Sequence, residues 1–348
     1  MADPRIALVI VNFNGLDQIA RCLECVGRQT LEPTRTIVVD NGSTDGSVEL
    51  IREQFPEIEL VLVGSNIGFA AANNLGARRG ADCDWLALLN PDAFPEAGWL
   101  EALVQGAREN PQFSGVGSHM RRAGVVGELD GTGDVYQVGG MAWRRDNGRP
   151  DSIARERGEI FSPCAAAALY PRTLFVEAGG FDERYFAYYE DTDLAFRLRL
   201  RGHRFLYEPA AVVDHVGFAA AGAETPFTAY HSQRNIVWTY AKNMPAPLFW
   251  TYLPQHLLVN LLNVAWYTLR GQGRAVLRAK RDAVLGLPGI LRTRREVQRG
   301  RTVGSLELRR LMAGGLGPYT TGVKRALAAR RADPGETAGA GAGARSLW

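Results

Sequence analysis

Residues 6 to 11, IALVIV, form an unbroken apolar run that stops at Asn12-Phe13-Asn14-Gly15. A run this short with no polar alternation marks a strand buried on both faces, and the turn residues after it mark its end. A strand with two buried faces needs a layer on each side, which confines the chain to α/β architectures. The same unit then repeats. A helix runs to about Gln29, strand Thr36 to Val39 precedes helix Gly46 to Gln54, strand Ile58 to Val63 precedes helix Phe69 to Arg79, and strand Trp85 to Leu89 precedes helix Glu96 to Arg108. Four strand–helix alternations predict a Rossmann-like, mainly parallel sheet flanked by helices.

Ligands of such sheets bind beyond the carboxyl ends of the strands. The residues there are Asn12-Phe13-Asn14, Asp40-Asn41-Gly42-Ser43, Gly64-Ser65-Asn66 and Asn90-Pro91-Asp92. The recurrence of Asn and Asp suits a hydroxyl-rich ligand and a cation, while Thr44, Asp45 and Ser65 read as turn and cap residues. No G-x-G-x-x-G follows the first strand and no G-x-x-x-x-G-K-[ST] occurs, which argues against a dinucleotide cofactor and a P-loop. Cys22, Cys25, Cys83 and Cys164 show no disulfide framework, and the N-terminus shows no charged-then-apolar leader, so a reduced, cytoplasmic protein is expected. The C-x-x-C pair lies in a helical pattern with Ile19, Leu23 and Val26 and reads as core-facing rather than redox-active.

From Phe113 to Arg157 the pattern gives way to Gly-rich, charged stretches, expected to be short antiparallel strands and mobile loops such as a lid. A strand near Ile160 and a helix from Pro171 to Ala178 lead into Gly179 to His215, where carboxylates, aromatics and a basic helix are crowded together. Glu190-Asp191-Thr192-Asp193 precede the helical spacing of Leu194 and Leu198, so these acids sit at a helix N-terminus, which favours their charged form. A charged carboxylate among aromatics suits a general base, and His215, ending the next strand, suits a metal ligand.

The charge of the chain is only +3 but is unevenly placed: residues 270 to 331 hold 16 Lys/Arg against 3 Asp/Glu, leaving the preceding body acidic. Just before them, Asn243 to Leu269 contains no charged residue, yet Pro245, Pro247, Pro254, Gln255, His256, Asn260 and Asn263 interrupt it. From Pro254 the residues Leu257, Leu258, Leu261, Leu262, Ala265, Trp266 and Leu269 share one helical stripe. This predicts an amphipathic helix lying in an interface, with the cations that follow meeting an anionic membrane surface rather than nucleic acid. The expected division is 1–240 for the catalytic domain, 241–331 for the basic membrane-associating region and 332–348 for a disordered tail.

VIVNFNG, VVDNGSTDGS, NIGFAAANNLGAR, LLNPDA and GGFDERYFAYYEDTDLAFRLRLRG, in this order over roughly residues 5 to 240, resemble the family 2 glycosyltransferases of the GT-A fold, and within them the rhamnosyltransferase-type branch that builds bacterial surface polysaccharide. The resemblance implies an inverting, metal-dependent hexosyltransferase. It would use Mg2+ or Mn2+, a UDP- or dTDP-sugar donor and a polyprenyl-diphosphate-linked saccharide acceptor on the inner face of the plasma membrane. It places Val11, Phe13, Asp40, Asn41 and Asn66 around the base and ribose, although many members have a second Asp where this chain has Asn41. Asn90-Pro91-Asp92 takes the place of the Asp-x-Asp metal motif, with Asn90 facing the donor, Asp92 the one acidic ligand and His215 completing the site. Asp191 matches the catalytic base. Glu190 and Asp193 belong to the same motif, as substrate contacts or as hydrogen-bonding and capping residues. Arg234, at the join to the apolar segment, is expected either to hold the acceptor diphosphate or to form a surface ion pair. Two rival readings are a nucleotidyltransferase, which would carry a Gly-rich basic loop after the first strand, and a non-catalytic nucleotide-sugar-binding protein, which would lack the acids.

Overall fold

The computed structural model describes residues 4–153, 155–217 and 225–315; the tail expected from 332 lies outside them. Strand β1 (Ile6–Asn12) is buried along its whole length. It pairs in parallel with β2 (Arg35–Asp40) and with β4 (Trp85–Leu89), and β3 (Glu59–Leu62) extends the sheet beyond β2. Alternate residues of β1 supply two separate cores, as a strand with period two must. Ala7, Val9 and Val11 face one, lined by α3 (Phe69–Arg79) and α6 (Glu190–Leu200), while Ile6, Leu8 and Ile10 face the other, lined by α1 (Leu16–Val26) and α4 (Trp99–Glu109). Gly76 of α3 lies so close to β1 that a Cβ there would come within 2.3 Å of Val9. Helix α2 (Ser47–Gln54) completes the alternation. Cys22 is fully buried in the second core, as its helical spacing predicts.

Past β4 the sheet becomes mixed. Strand β11 (Ala167–Pro171) runs antiparallel to β4 and to β6 (Val116–Arg122), and β6 is parallel to β12 (Phe205–His215). Strands β5 (Ala93–Pro95) and β10 (Gly158–Ile160) pair with β12, and β7 (Leu129–Gly131) pairs with β6. The short antiparallel strands expected over 113–157 do occur, β7 among them, but the stretch also holds β6, a seven-residue strand inside the main sheet. Its polar residues hid it, and each has a partner: Ser118 Oγ donates to Ala167 O at 2.8 Å, and Arg121 Nε donates to Asp214 Oδ1 at 2.8 Å. Strands β8 (Asp134–Tyr136) and β9 (Ala142–Arg144) form a separate antiparallel hairpin. It is packed down rather than free, with Thr132 and Gln137 fully buried.

Four further helices follow α5 (Arg172–Glu177) and α6: α7 (Pro226–Asn243), α8 (Ala246–Leu269), α9 (Gly273–Arg299) and α10 (Ser305–Arg310). The boundary expected at residue 240 falls inside α7, which is fastened to the sheet domain by a buried ion network. Lys242, fully buried, reaches Asp182 Oδ2 at 2.6 Å and Asp193 Oδ1 at 2.7 Å, while Arg197 Nε donates to Asp193 Oδ2 at 2.8 Å. Removing one partner from such a network leaves buried charge uncompensated. Lys242→Met is therefore expected to lower unfolding stability by about 3 kcal/mol, read as a lower urea midpoint at unchanged m-value.

On α8 and α9 the apolar stripe points outward. Trp250, Leu257, Leu261 and Leu269 are 60–76% exposed, and Leu277, Val284 and Leu285 on α9 are 58–70% exposed. Among the described residues no helix is long and apolar enough to cross a membrane.

Candidate active site

The ends of β1 to β3 make a polar ledge. Asn12 Nδ2 donates to Asp40 Oδ1 at 3.1 Å and to Ser47 Oγ at 2.9 Å, and Asp40 Oδ2 accepts from the Gly42 and Ser43 amides at 3.2 and 3.1 Å. Asn41 donates through Nδ2 to Asn66 Oδ1 at 2.9 Å and accepts from the Ile67 amide at 2.9 Å, so both ends of its carboxamide shape the loop after β3. Asn66 also caps Gly68. Gly68 has φ +90° and lies where a Cβ would strike the Phe186 ring at 2.7 Å, which joins this loop to the segment before α6. Val11 differs from expectation: it points with Ala7 and Val9 into the α3 side of the core and is fully buried, so its side chain offers no open pocket surface. Phe13, beyond the strand end, is only half-buried.

At the far side, β5 pairs with β12 in the register Ala93↔His215, which sets Asp92 beside His215. Asp92 Oδ1 lies 3.3 Å from His215 Nε2, and Asp92 Oδ2 accepts from the Gly217 amide at 3.1 Å. Burial pushes the Asp92 carboxyl up, but His215 and the Gly217 amide more than offset this and bring it to about 2. His215 Nδ1 donates to Asp130 Oδ2 at 2.8 Å, and Arg144 pairs with Asp130 on the other side. With Nδ1 turned to Asp130, Nε2 is the ring nitrogen that faces Asp92, and in the neutral ring its lone pair would be open to a cation. Asn90 Oδ1, Asp92 Oδ1 and His215 Nε2 are all buried without a hydrogen-bond partner. Asn90 Oδ1, Asp92 Oδ1 and, in the neutral ring, His215 Nε2 are a donor set that suits a divalent cation.

Asp191 sits at the start of α6, after an unusual turn. Phe186, Tyr188 and Tyr189 adopt φ of 66°, 68° and 70°. Bulky residues there cost on the order of 1–3 kcal/mol each and persist only where the surroundings hold them. The holder is α7: Asn235 Nδ2 donates to the carbonyls of Tyr185, Ala187 and Tyr188 at 3.0, 2.9 and 2.7 Å, and Arg234 Nη2 to those of Arg184 and Tyr185 at 2.9 and 2.8 Å. Arg234 Nη2 is thereby given to backbone carbonyls of the turn, and among the described residues Arg234 makes no salt bridge with a carboxylate, in contrast to the surface ion pair expected as one alternative.

Asp191 Oδ2 accepts from the Ala165 amide at 3.1 Å and Oδ1 from the Thr192 amide at 2.6 Å. Burial nevertheless raises its carboxyl above the usual range, against those amides and Arg144. Burial and neighbouring Asp191 raise Glu190 further. The helix N-terminus therefore does not decide the charge of these two acids; desolvation does. Asp193 behaves otherwise, since burial is outweighed by Lys242 and Arg197 and its carboxyl is lowered. Fully buried within that network, it is a structural member of the motif and not a substrate contact.

Arg144 ties the two halves together, its charge lowering both Asp92 and Asp191 while it pairs with the Asp130 that orients His215. Sequence reasoning missed Asp130, Arg144 and Asn235. Asp130 lies in LDGTGD, which reads as a turn, and nothing in the spacing of the other two marks them.

The glycosyl transferase family 2 profile matches residues 7–178. N-acetylglucosaminyl-diphospho-decaprenol L-rhamnosyltransferase of Mycobacterium tuberculosis is 30% identical over 72% of this chain and 92% of its own length. Among solved structures, GalNAc-T7 with UDP, GalNAc and Mn2+ aligns with a TM-score of 0.53 at 14% identity over 69% of this chain, which spans 48% of that one. A mannosyltransferase from Pyrobaculum calidifontis with GDP-Man and Mn2+ aligns with a TM-score of 0.50 at 18% identity over 88% of both chains. The structural likenesses bear out the GT-A fold, and the sequence match together with the family profile establishes that this chain belongs to glycosyl transferase family 2.

Proposed function

We propose that this protein transfers a sugar, rhamnose first among candidates, from a UDP- or dTDP-linked donor to a polyprenyl-diphosphate-linked saccharide, with inversion at the anomeric carbon. The observation that carries this reading is the convergence on Arg144 of a cation-binding pair, Asp92 and His215, and a desolvated base, Asp191. The Asp40 and Asn66 ledge holds the nucleotide, and Asn90 faces the donor diphosphate. Asp191 takes the proton from the acceptor hydroxyl as its oxygen attacks the anomeric carbon opposite the leaving diphosphate. A divalent cation, Mg2+ or Mn2+, would supply the positive charge that the leaving diphosphate needs. The rhamnosyltransferase relative acts, by its name, on a decaprenol-diphosphate-linked N-acetylglucosamine, which supports an acceptor of that class. A donor screen by mass spectrometry with such an acceptor should show one nucleotide sugar consumed and transfer stopped by EDTA; consumption of none would sink the reading.

The outward apolar stripes of α8 and α9 and the Arg-rich flank of α9 support peripheral docking on the anionic inner face of the plasma membrane. The double variant Leu261→Glu/Leu285→Glu should weaken binding to phosphatidylglycerol vesicles by about tenfold or more, since each exposed leucine otherwise leaves water for the bilayer. Unchanged co-sedimentation would refute the docking face.

A further inference from the structure

Beside the base lies a second carboxyl group that neither the family motif nor the proposed chemistry uses. Asp134, on β8, is 8% exposed, and its carboxylate, that of Asp191 and the Cys164 thiol all lie within 4.8 Å of one another. The register of the hairpin sets Asp134 opposite Arg144. Glu190, next to Asp191, is 5% exposed and its Oε2 has no hydrogen-bond partner. We propose that Asp134 is the proton-bearing partner of Asp191, so that the pair carries a single negative charge and presents the acceptor hydroxyl with one acceptor oxygen and one O–H donor. This inference rests on the glycosyltransfer reading and specifies which groups meet the acceptor.

The assignment of the proton follows from the surroundings. Two carboxylates this close and this poorly solvated do not both stay ionised. Asp191 accepts from the amides of Ala165 and Thr192 and sits at the first turn of α6, all of which favour its charged form. The groups facing Asp134 are Asp191 and Glu190 on α6, Tyr189 just before them, Tyr170 on β11 and Cys164, with Arg144 committed to Asp130. Burial, then Asp191 and then Glu190, push Asp134 well above the ordinary carboxylate range, while burial pushes the Cys164 thiol up to about 12, so it stays a thiol. During transfer the acceptor O–H bond breaks, its oxygen bonds to the anomeric carbon and the diphosphate leaves with the bonding electrons. The proton arrives on Asp191, leaving the pair doubly protonated and uncharged. As pH rises and Asp134 ionises, the O–H donor is lost and two like charges face each other.

Wild-type transfer should therefore fall on the alkaline side with Asp134, and on the acid side with Asp191. Asp134→Asn keeps a donor but cannot titrate. It should lower kcat by about tenfold, the worth of one altered hydrogen bond, with the donor KM unchanged and the alkaline fall abolished. Asp134→Ala, with no donor, should lose more. An alkaline fall that persists in Asp134→Asn would overturn the proposal, as would a loss at all pH values equal to that of Asp191→Asn. Infrared spectra of the wild-type protein give a readout independent of turnover and of variant folding. A protonated-carboxyl band distinct from that of Glu190, which titrates with its own midpoint, should disappear with the midpoint of the alkaline fall in kcat, and absence of a band with that midpoint would also overturn the proposal. No transfer by the wild-type protein would instead sink the glycosyltransfer reading and leave the infrared result standing.

Discussion

Asp191→Asn is expected to lower the rate of sugar transfer by about 10²–10⁴-fold, the usual worth of a positioned general base, while nucleotide-sugar binding stays within error of wild type. The split follows from placement. Asp191 Oδ1 and Oδ2 hang from the Thr192 and Ala165 amides, apart from the Asp40 and Asn66 ledge that would hold the donor. The same substitution should also remove a pH dependence from the stability, over and above the constant cost of setting an NH2 against one of the two backbone amides. Burial raises the Asp191 carboxyl in the folded state, so the native protein holds this proton more tightly than the unfolded chain. Its contribution is fully present below the unfolded carboxylate range and is lost as pH rises through the raised folded value. The amide removes that loss. The melting temperature of the variant relative to wild type should thus rise from about pH 4 to about pH 7.5; a difference that does not rise would overturn the raised carboxyl of Asp191, and a variant that transfers sugar at the wild-type rate would remove Asp191 from the role of base.

The second large effect is expected at Asp92. Charge on a leaving diphosphate is worth several kcal/mol to neutralise, so Asp92→Asn should cost on the order of 10³-fold in kcat/KM. It should also weaken Mn2+ binding measured by calorimetry, which separates loss of the ion from loss of chemistry. Asp130→Asn tests the support beneath it. By taking the negative charge from the acceptor of the His215 Nδ1 hydrogen bond it should weaken the ion by about 10–100-fold with no ligand removed. Equal Mn2+ affinity in all three proteins would place the cation elsewhere.

How far the sequence reveals this molecule depends on how local the cause is. IALVIV and the runs of β2 and β4 declare their strands because burial on both faces leaves an unbroken apolar signature, while β3, at the sheet edge and partly exposed, shows an apolar run without that burial. Helix Phe69–Arg79 and strand Trp85–Leu89 appear at the expected residues. β6 hid because its charged residues find partners on β12 and in a loop, contacts that exist only after folding. Asp92, Asp191 and His215 stand out by motif, and the fold sets each of them within reach of Arg144. Asp130 and Arg144 reach the site across a hairpin, and Asn235 arrives from a helix some 45 residues beyond the base, so no local pattern announces them. The charge states were the least legible. A helix N-terminus suggests ionised acids, but burial in a crowded pocket reverses that for Glu190 and offsets it for Asp191.

The aromatic turn ahead of Asp191 also orders events during synthesis. Every strand of the main sheet has left the ribosome by His215, and that sheet can close around β1 with what it already holds. Phe186, Tyr188 and Tyr189 cannot settle into their left-handed conformations on the same schedule, because the carbonyls that fix them wait for Asn235 and Arg234. A nascent chain stopped short of α7 would carry a formed polar ledge at the ends of β1 to β3 and an unset turn before Asp191. The turn ahead of Asp191 acquires its final geometry only when α7, the helix leading to the outward apolar stripe of α8, has docked.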